Sequence, residues 1–444
     1  MGRKTPDTRM QLCSNRLLQC VSAIKKGSKM TDEKQVDATV RDISRRPRYV
    51  VGMDAHSVKI AISVWEWSDP WNPVLFKEIK CFDISAMAAT YERHVPLESL
   101  TLIEASTNSM RLKQELCELG FRAEVIPSNA IHGKEKKRKV RDIQDARNIA
   151  QGYMKGDIQE FVWTPPDETA ECRDILFAYR DARKDMTRAA NRIWSICNRK
   201  GYGIDVVAGK TTAQTIRDDI RRMDIRGIMA ERLAMLVEEY ELHAKRLKKL
   251  EEMMAEHSFG SDAAMALMQL PGIFYKAAFA TIAAVGDARR FGSASKLAAY
   301  GGFAPILDTS GEEERLAAKR GGTGKPLDKE GRRDLKYYYV EAGHTVLNTC
   351  AATSIGKWGW RMLNRGKPKN KVACAIGRKL LTYAWHIMRG DPTPNREGEK
   401  FYRRKLVRFC SVLGKERMKE LGFEKRDAFA EFHASKIYAG LSLT

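Results

Sequence analysis

Between residues 48 and 155, short apolar runs and helical periods follow one another in an order that limits the fold more than any other feature of the chain. RYVVGMD (48–54) reads as a buried strand ending at Asp54, AHSVK as a turn, IAISVWEWS as a second strand and VLFKEIKCFDI as a third. ISAMAATYERHV is helical, and SLTLIEAS is a strand ending at Glu104. NSMRLKQELCELG is an amphipathic helix stopped by Gly120, and FRAEVIPS is a fifth strand. The helical stretch DIQDARNIAQGYMKG closes the unit. Three antiparallel strands followed by alternating helices and strands make an α/β layered fold.

Beyond it the texture is all-α. From residue 233, Leu233, Leu236, Tyr240, His243, Leu247, Leu250 and Met254 recur in alternating steps of three and four, a heptad seam. So short a seam suits either a helix packed in its own domain or an intersubunit coiled coil. A second helical domain opens with LMQLPGIFYKAAFATIAAVG, a helix–turn–helix around Pro271-Gly272, and ends with KVACAIGRKLLTYAWHIMRG. The expected division is a basic arm (1–47), the α/β domain (48–165), a helical oligomerisation region (166–261), the second helical domain (262–390) and a basic extension (391–444) that starts in the linker-like DPTPNREGEK.

The formal charge is +22. Such an excess repels itself in a compact chain, so a polyanionic partner is expected. No apolar run approaches ~18 residues, so no spanning helix is expected, and residues 10–24 lack the cleavage site of a signal peptide. The nine cysteines include no CxxC pair, which points to a reducing cytosol rather than zinc ribbons or a disulfide framework. The histidines form no HExxH or HxxxH pair, so a metal here would be held by oxygen.

Four carboxylates carry the chemistry. Asp54 ends the first strand, Glu104 ends the fourth, and Asp142 and Asp145 lie three apart on the closing helix, directly after the run KEKKRK. Strand ends share a rim, and a helix crossing it presents residues three apart on one face. Taken singly, each acid reads as a cap or a solvated face. Together they would repel unless they coordinate two Mg2+ ions (or Mn2+) ~4 Å apart, as in phosphodiester chemistry. Lys136, Lys137, Arg138, Lys139 and Arg141 beside them would neutralise a nucleic-acid backbone.

The segments GMDAHSVKIAISV, LIEAS and KxRDxxDAxxIA resemble the Asp-Glu-Asp-Asp transposases of the insertion sequence 110 family. The resemblance implies an RNase H-like, RuvC-type catalytic domain with Asp54, Glu104, Asp142 and Asp145 as metal ligands. It extends to a second motif set, SxxxLAAYxGxxP…SG…RL…KRG, where the matching Ser310 would be the nucleophile. On local grounds alone Ser310-Gly311 reads as a turn, without the GxSxG elbow of an esterase. A serine joined to a DNA phosphate conserves the energy of the broken phosphodiester. The acids and the serine would then act on one phosphate. Lys319 and Arg320 belong to the same motif, and NRGKPKNKVACAIGRKLL resembles a further family segment offering Arg365, Lys367, Lys369, Lys371, Arg378 and Lys379 as phosphate contacts or as plain surface charge.

The chain departs from the family pattern in places. PGIG reads PGIF, so Phe274 stands where a glycine would let DNA approach the helix-hairpin-helix-like element. Acids Glu312, Glu313 and Glu314 follow Ser310-Gly311, and GTGKPLDKEG reads as an insertion. The resemblance covers roughly 48–390. It implies a DNA transposase acting on double-stranded donor and target DNA, guided by a structured non-coding bridge RNA. It also implies a homodimer or homotetramer in the cytoplasm of a prokaryote, nucleoid-associated when bound. The alternatives are a RuvC-like junction-resolving nuclease that uses water, or an inactive nucleic-acid-binding protein.

Overall fold

The computed structural model describes residues 47–69, 71–130, 142–223, 225–304, 331–391 and 398–438. They form two compact units, Met1–Thr164 and Pro165–Thr444. The basic arm before residue 47, the basic run 134–141 and Ser310 lie outside the described residues.

In the first unit the strands stand where the apolar runs place them: β1 (Tyr49–Ala55), β2 (Lys59–Glu66), β3 (Val74–Asp83), β4 (Ser99–Glu104) and β5 (Arg122–Ile126). Their order in the sheet is β3-β2-β1-β4-β5. β1, β2 and β3 pair antiparallel, while β1–β4 and β4–β5 pair parallel. The parallel steps need crossovers, supplied by α1 (Met87–His94) and α2 (Ser109–Glu118). Strand alternation sorts the side chains. Val51, Met53 and Ile103 face the crossovers and pack with Tyr91, Leu112 and Leu116. Val50, Leu100 and Leu102 face the other way and pack with Ile149 and Ala150 of α3 (Asp142–Lys155).

Gly52 sets how closely α3 approaches that second face. A Cβ built there would overlap the carbonyl oxygen of Ala146 and fall 2.8 Å from the amide nitrogen of Ala150. The helix backbone therefore rests on the strand itself. The neighbours across the sheet continue a row of low side chains, Gly52 opposite Ser63 and Ser63 opposite Glu78. At its far end Arg147 of α3 makes a two-pronged ion pair with Glu78, Nη2 to Oε2 at 2.6 Å. Its hydrogen bonds hold the Glu78 carboxyl below the usual range. Glu78 also accepts from the Ser63 hydroxyl at 3.2 Å, which in turn accepts from the Trp65 indole at 2.9 Å.

The second unit is helical: α4 (Asp167–Arg199), α5 (Ala213–Arg222), α6 (Ile228–Phe259), α7 (Asp262–Leu267), α8 (Tyr275–Val285), α9 (Ala294–Tyr300), α10 (Arg333–Thr349), α11 (Ser354–Asn364), α12 (Lys369–Met388), α13 (Glu399–Leu413), α14 (Lys415–Glu420) and α15 (Arg426–Tyr438). Serine and threonine caps start several of them. Thr212, Ser261, Ser293 and Thr353 each accept a hydrogen bond from a first-turn amide. One hydrophobic core runs from Cys172 to Ala434, so the segment after residue 398 is built into it through Tyr402, Leu406, Phe409 and Phe429.

The heptad seam finds its partner within the chain. Leu233, Leu236, Tyr240, His243, Leu247 and Met254 are buried. Cys172 meets His257 at 3.9 Å, the Tyr179 hydroxyl donates to Glu251 at 3.1 Å, and Arg192 pairs with Glu239 at 3.7 Å. One number rises as the other falls, so α4 and α6 lie antiparallel and α4 occupies the seam. A second copy is not what covers it.

The α7–α8 hairpin exists, and α13 packs against its turn. Lys405 of α13 donates to the carbonyls of Met268 and Leu270 at 3.0 and 2.7 Å. Phe274 packs on Phe409, ring centroids 6.2 Å apart, with the Arg408 guanidinium 5.2 Å from its ring. The aromatic residue that replaces the glycine is the one on which the C-terminal helix docks.

Gly52→Ala forces either α3 or β1 to move and is expected to cost about 1–3 kcal/mol, as overpacking does. Chemical denaturation would read this as a lowered midpoint. An unchanged midpoint would remove the close seat of α3 as a feature of the fold.

Candidate active site

The sheet register assembles the acids. β1 and β4 run parallel with Met53 beside Ile103, so the next residues, Asp54 and Glu104, are neighbours at the carboxyl rim. Both continue the alternation that turns Val50 and Leu102 toward α3. Helix and strand geometry then meet. One turn of helix from Ala146 back to Asp142 covers ~6 Å, and two residues of strand from Gly52 on to Asp54 cover ~6.7 Å. With Ala146 on Gly52, Asp142 comes over Asp54. His56, two residues beyond, completes the cluster. Its Nε2 lies 3.5 Å from Asp54 Oδ2 and 3.7 Å from Asp142 Oδ1. The ligand atoms of Asp54, His56 and Asp142 all lie within 4.8 Å of one another.

Asp54 is 7% exposed. Burial pushes its carboxyl up to about 6; His56 opposes the rise, while Asp145, Asp142 and Glu104 add to it in that order. The three other acids are thus near enough for their charge to be felt at this one carboxyl. Asp142 and Asp145 sit in the first turn of α3, where the helix dipole favours negative charge and offsets part of the repulsion. A buried carboxylate crowded by other carboxylates, with one imidazole at hand, fits a hard divalent cation such as Mg2+ or Mn2+.

The pattern of acids was legible in the sequence, but His56 was not. It lies in a segment that reads only as a turn, and its approach to Asp142 joins residues far apart in the chain. Ser310, Lys136, Lys137, Arg138, Lys139, Arg141, Lys319 and Arg320 lie outside the described residues.

The residues on either side of 305–330 belong to the second unit, and they are joined. The Arg332 amide donates to the Tyr300 carbonyl at 2.8 Å, and a Cβ on Gly331 would overlap the backbone of Gly302. The Arg332 guanidinium is fixed by Asp334, Nη2 to Oδ2 at 2.6 Å. The chain therefore leaves near Ala304 and returns at Gly331 close to the same point. Of the remaining basic residues, Arg365 and Lys367 lie in the turn before α12. Lys369, Lys371, Arg378 and Lys379 lie on α12, with Lys369 donating to Asn348 at 3.0 Å and the Lys379 ammonium 4.6 Å from the Trp358 ring.

Comparison with known proteins places this architecture. Residues 264–352 match the family model described as Transposase IS116/IS110/IS902 family. A probable family 20 transposase of Pseudomonas aeruginosa is 23% identical over 311 residues, 68% of this chain and 87% of that protein. Pilin gene-inverting proteins of Moraxella bovis and Moraxella lacunata are each 32% identical over 123 residues, 28% of this chain and 36% of theirs. The matched segment lies within the helical unit, which is thus similar to transposase and gene-inverting proteins. The family match spans about a fifth of the chain, and the resemblance to the Pseudomonas aeruginosa protein extends over 68% of it. Among the described residues, no helix is long and apolar enough to cross a membrane.

Asp54→Asn removes the buried charge on which the other acids press. Without divalent ions at neutral pH, its melting temperature is expected to exceed that of the parent protein by a few degrees, as functional sites often trade against stability. Millimolar Mn2+ should raise the parent's melting temperature and leave the variant's within error. Equal shifts in both proteins would place the ion elsewhere.

Proposed function

We propose that the chain cuts and rejoins donor and target DNA through a serine–phosphate intermediate, with Asp54, Glu104, Asp142 and Asp145 holding Mg2+ in an RNase H-like, RuvC-type domain. The observation that carries the reading is the electrostatic convergence of three acids on Asp54. The sheet order, with three antiparallel strands and two parallel ones, supports the fold assignment. When bound, the divalent ions would neutralise charge on the phosphate under attack and lower the pKa of an oxygen coordinated to them.

The steps assigned to the chain's own residues are these. The Ser310 hydroxyl attacks the phosphate, a serine–phosphate bond forms, and the phosphodiester bond to the leaving strand breaks. The hydroxyl's proton ends on the leaving oxygen. In the second step a strand hydroxyl from the other DNA attacks the same phosphorus, a new phosphodiester forms, and serine recovers its proton. Bond count and charge balance, so no ATP is required. Arg332 and Asp334, with the Gly302–Gly331 contact, hold the two ends of the segment that carries Ser310.

The +22 charge suits polyanionic partners, and the family resemblance supports a structured guide RNA that selects both DNAs by base pairing. Two strands cut on each of two DNAs require more than one active site, hence a homodimer or homotetramer.

The test is incubation of the full chain, with its guide RNA and Mg2+, on labelled donor and target duplexes. Denaturing electrophoresis and mass spectrometry are expected to show a DNA adduct on Ser310. Ser310→Ala should lose the adduct and the joined product. Asp54→Asn should lose at least about a hundredfold in cleavage rate while still binding DNA. Cleavage that persists in Ser310→Ala would replace the serine mechanism by hydrolysis with water.

A further inference from the structure

From Ala342 to Gly390 the chain contains no aspartate or glutamate and nine lysines and arginines. With 56 acids in 444 residues, a 49-residue stretch would hold about six, so their complete absence sets this region apart. The stretch folds as the end of α10, then α11 and α12. α11 buries Ile355, Gly356 and Gly359 and turns the opposite stripe outward. Ser354, Lys357, Trp360, Arg361 and Asn364 line one shallow groove along it, and the turn that follows adds the exposed Arg365 and Lys367. Among the described residues, none of Lys357, Arg361, Arg365 or Lys367 has a carboxylate partner.

Trp360 stands among these cations and is 44% exposed. Its indole N–H donates to the carbonyl of Leu347, in the last turns of α10, at 3.1 Å. The polar edge of the ring is thus satisfied within the chain and its orientation fixed, while ring surface remains open to solvent. The neighbouring Trp358 is different, since the Lys379 ammonium lies over its ring at 4.6 Å.

We infer that this groove binds an unpaired stretch of DNA strand, with a base stacked on Trp360 and the flanking phosphates held by Lys357, Arg361, Arg365 and Lys367. A fixed aromatic face between cations matches a strand whose bases are free, because base–aromatic stacking and phosphate neutralisation then act together. A duplex keeps its base faces inside and would use the cations alone. The choice of DNA rests on the chain's similarity to transposases, and it is independent of the acid site and of Ser310.

The experiment uses the full chain with fluorescein-labelled dT20, U20 and a 20-base-pair duplex, read by fluorescence anisotropy over a salt series. Circular dichroism and thermal melting confirm that each variant is folded. Trp360→Ala is expected to weaken dT20 binding about tenfold and to change duplex binding less than twofold. Trp360→Phe keeps a stacking face but loses the bond to Leu347, so recovery of most of the affinity assigns the effect to stacking and not to that bond. Lys357→Ala with Arg361→Ala should flatten the salt dependence for dT20. In a 5-iododeoxyuridine strand, photo-crosslinking should label the tryptic peptide Trp358–Arg361. The affinities are measured in EDTA, which silences the proposed metal-dependent chemistry and so separates this inference from it. The inference is overturned by a Trp360→Ala variant that binds dT20 within twofold of the parent, by equal weakening toward the duplex, or by crosslinks that map elsewhere. Tighter binding of U20 than of dT20 would overturn the assignment to DNA.

Discussion

The seat of α3 on Gly52 is the constraint from which the acid site follows. A strand residue without a side chain lets a helix backbone lie where a Cβ would otherwise stand. That fixes both the height of the helix above the sheet and, through Ala146 and Ala150 one turn apart, its position along β1. The Arg147–Glu78 pair then fixes its rotation, because a two-pronged contact two strands away tolerates little swing. Asp142 and Asp145, in the first turn of the same helix, are carried into place with it. None of Gly52, Ala146, Ala150, Arg147 and Glu78 belongs to the acid cluster, so the acids are positioned by groups that are neutral or paired among themselves.

This explains how a cluster of like charges is tolerated. Asp54 lies at the end of a parallel pair whose register also delivers Glu104, and neither placement can relax without unzipping β1 from β4. The repulsion is stored rather than relieved: burial raises the carboxyl first, and three acids add to it, against one histidine and the dipole of one helix end. A fold that only maximised its own stability would place an asparagine or a lysine in such a cluster.

The extent to which the sequence revealed this follows from the range of each interaction. Strands and acids were legible because alternation and strand ends are local properties. The importance of Gly52 was not, since a glycine inside RYVVGMD signals nothing until the helix from ninety residues later is laid on it. His56 was missed for the same reason. The heptad in α6 correctly announced an apolar face, but periodicity names a face and not its partner, and α4 proved to be that partner. Phe274 could be recognised as a departure from a family pattern, while its cause, a helix carrying Lys405, Arg408 and Phe409, lies some 130 residues further on.

The fate of the hairpin bears on where nucleic acid is held. A helix-hairpin-helix contributes to DNA binding by presenting free amides at a glycine-rich turn. Here the carbonyls before the turn are capped by Lys405, and the residue at the glycine position is covered by the aromatic side of α13, within a core that includes Tyr402 and Leu406. That surface is spent on joining the C-terminal helices to the domain. The positive charge of the helical unit is instead concentrated a short distance along the chain, where α11 and α12 carry cations with no acids among them.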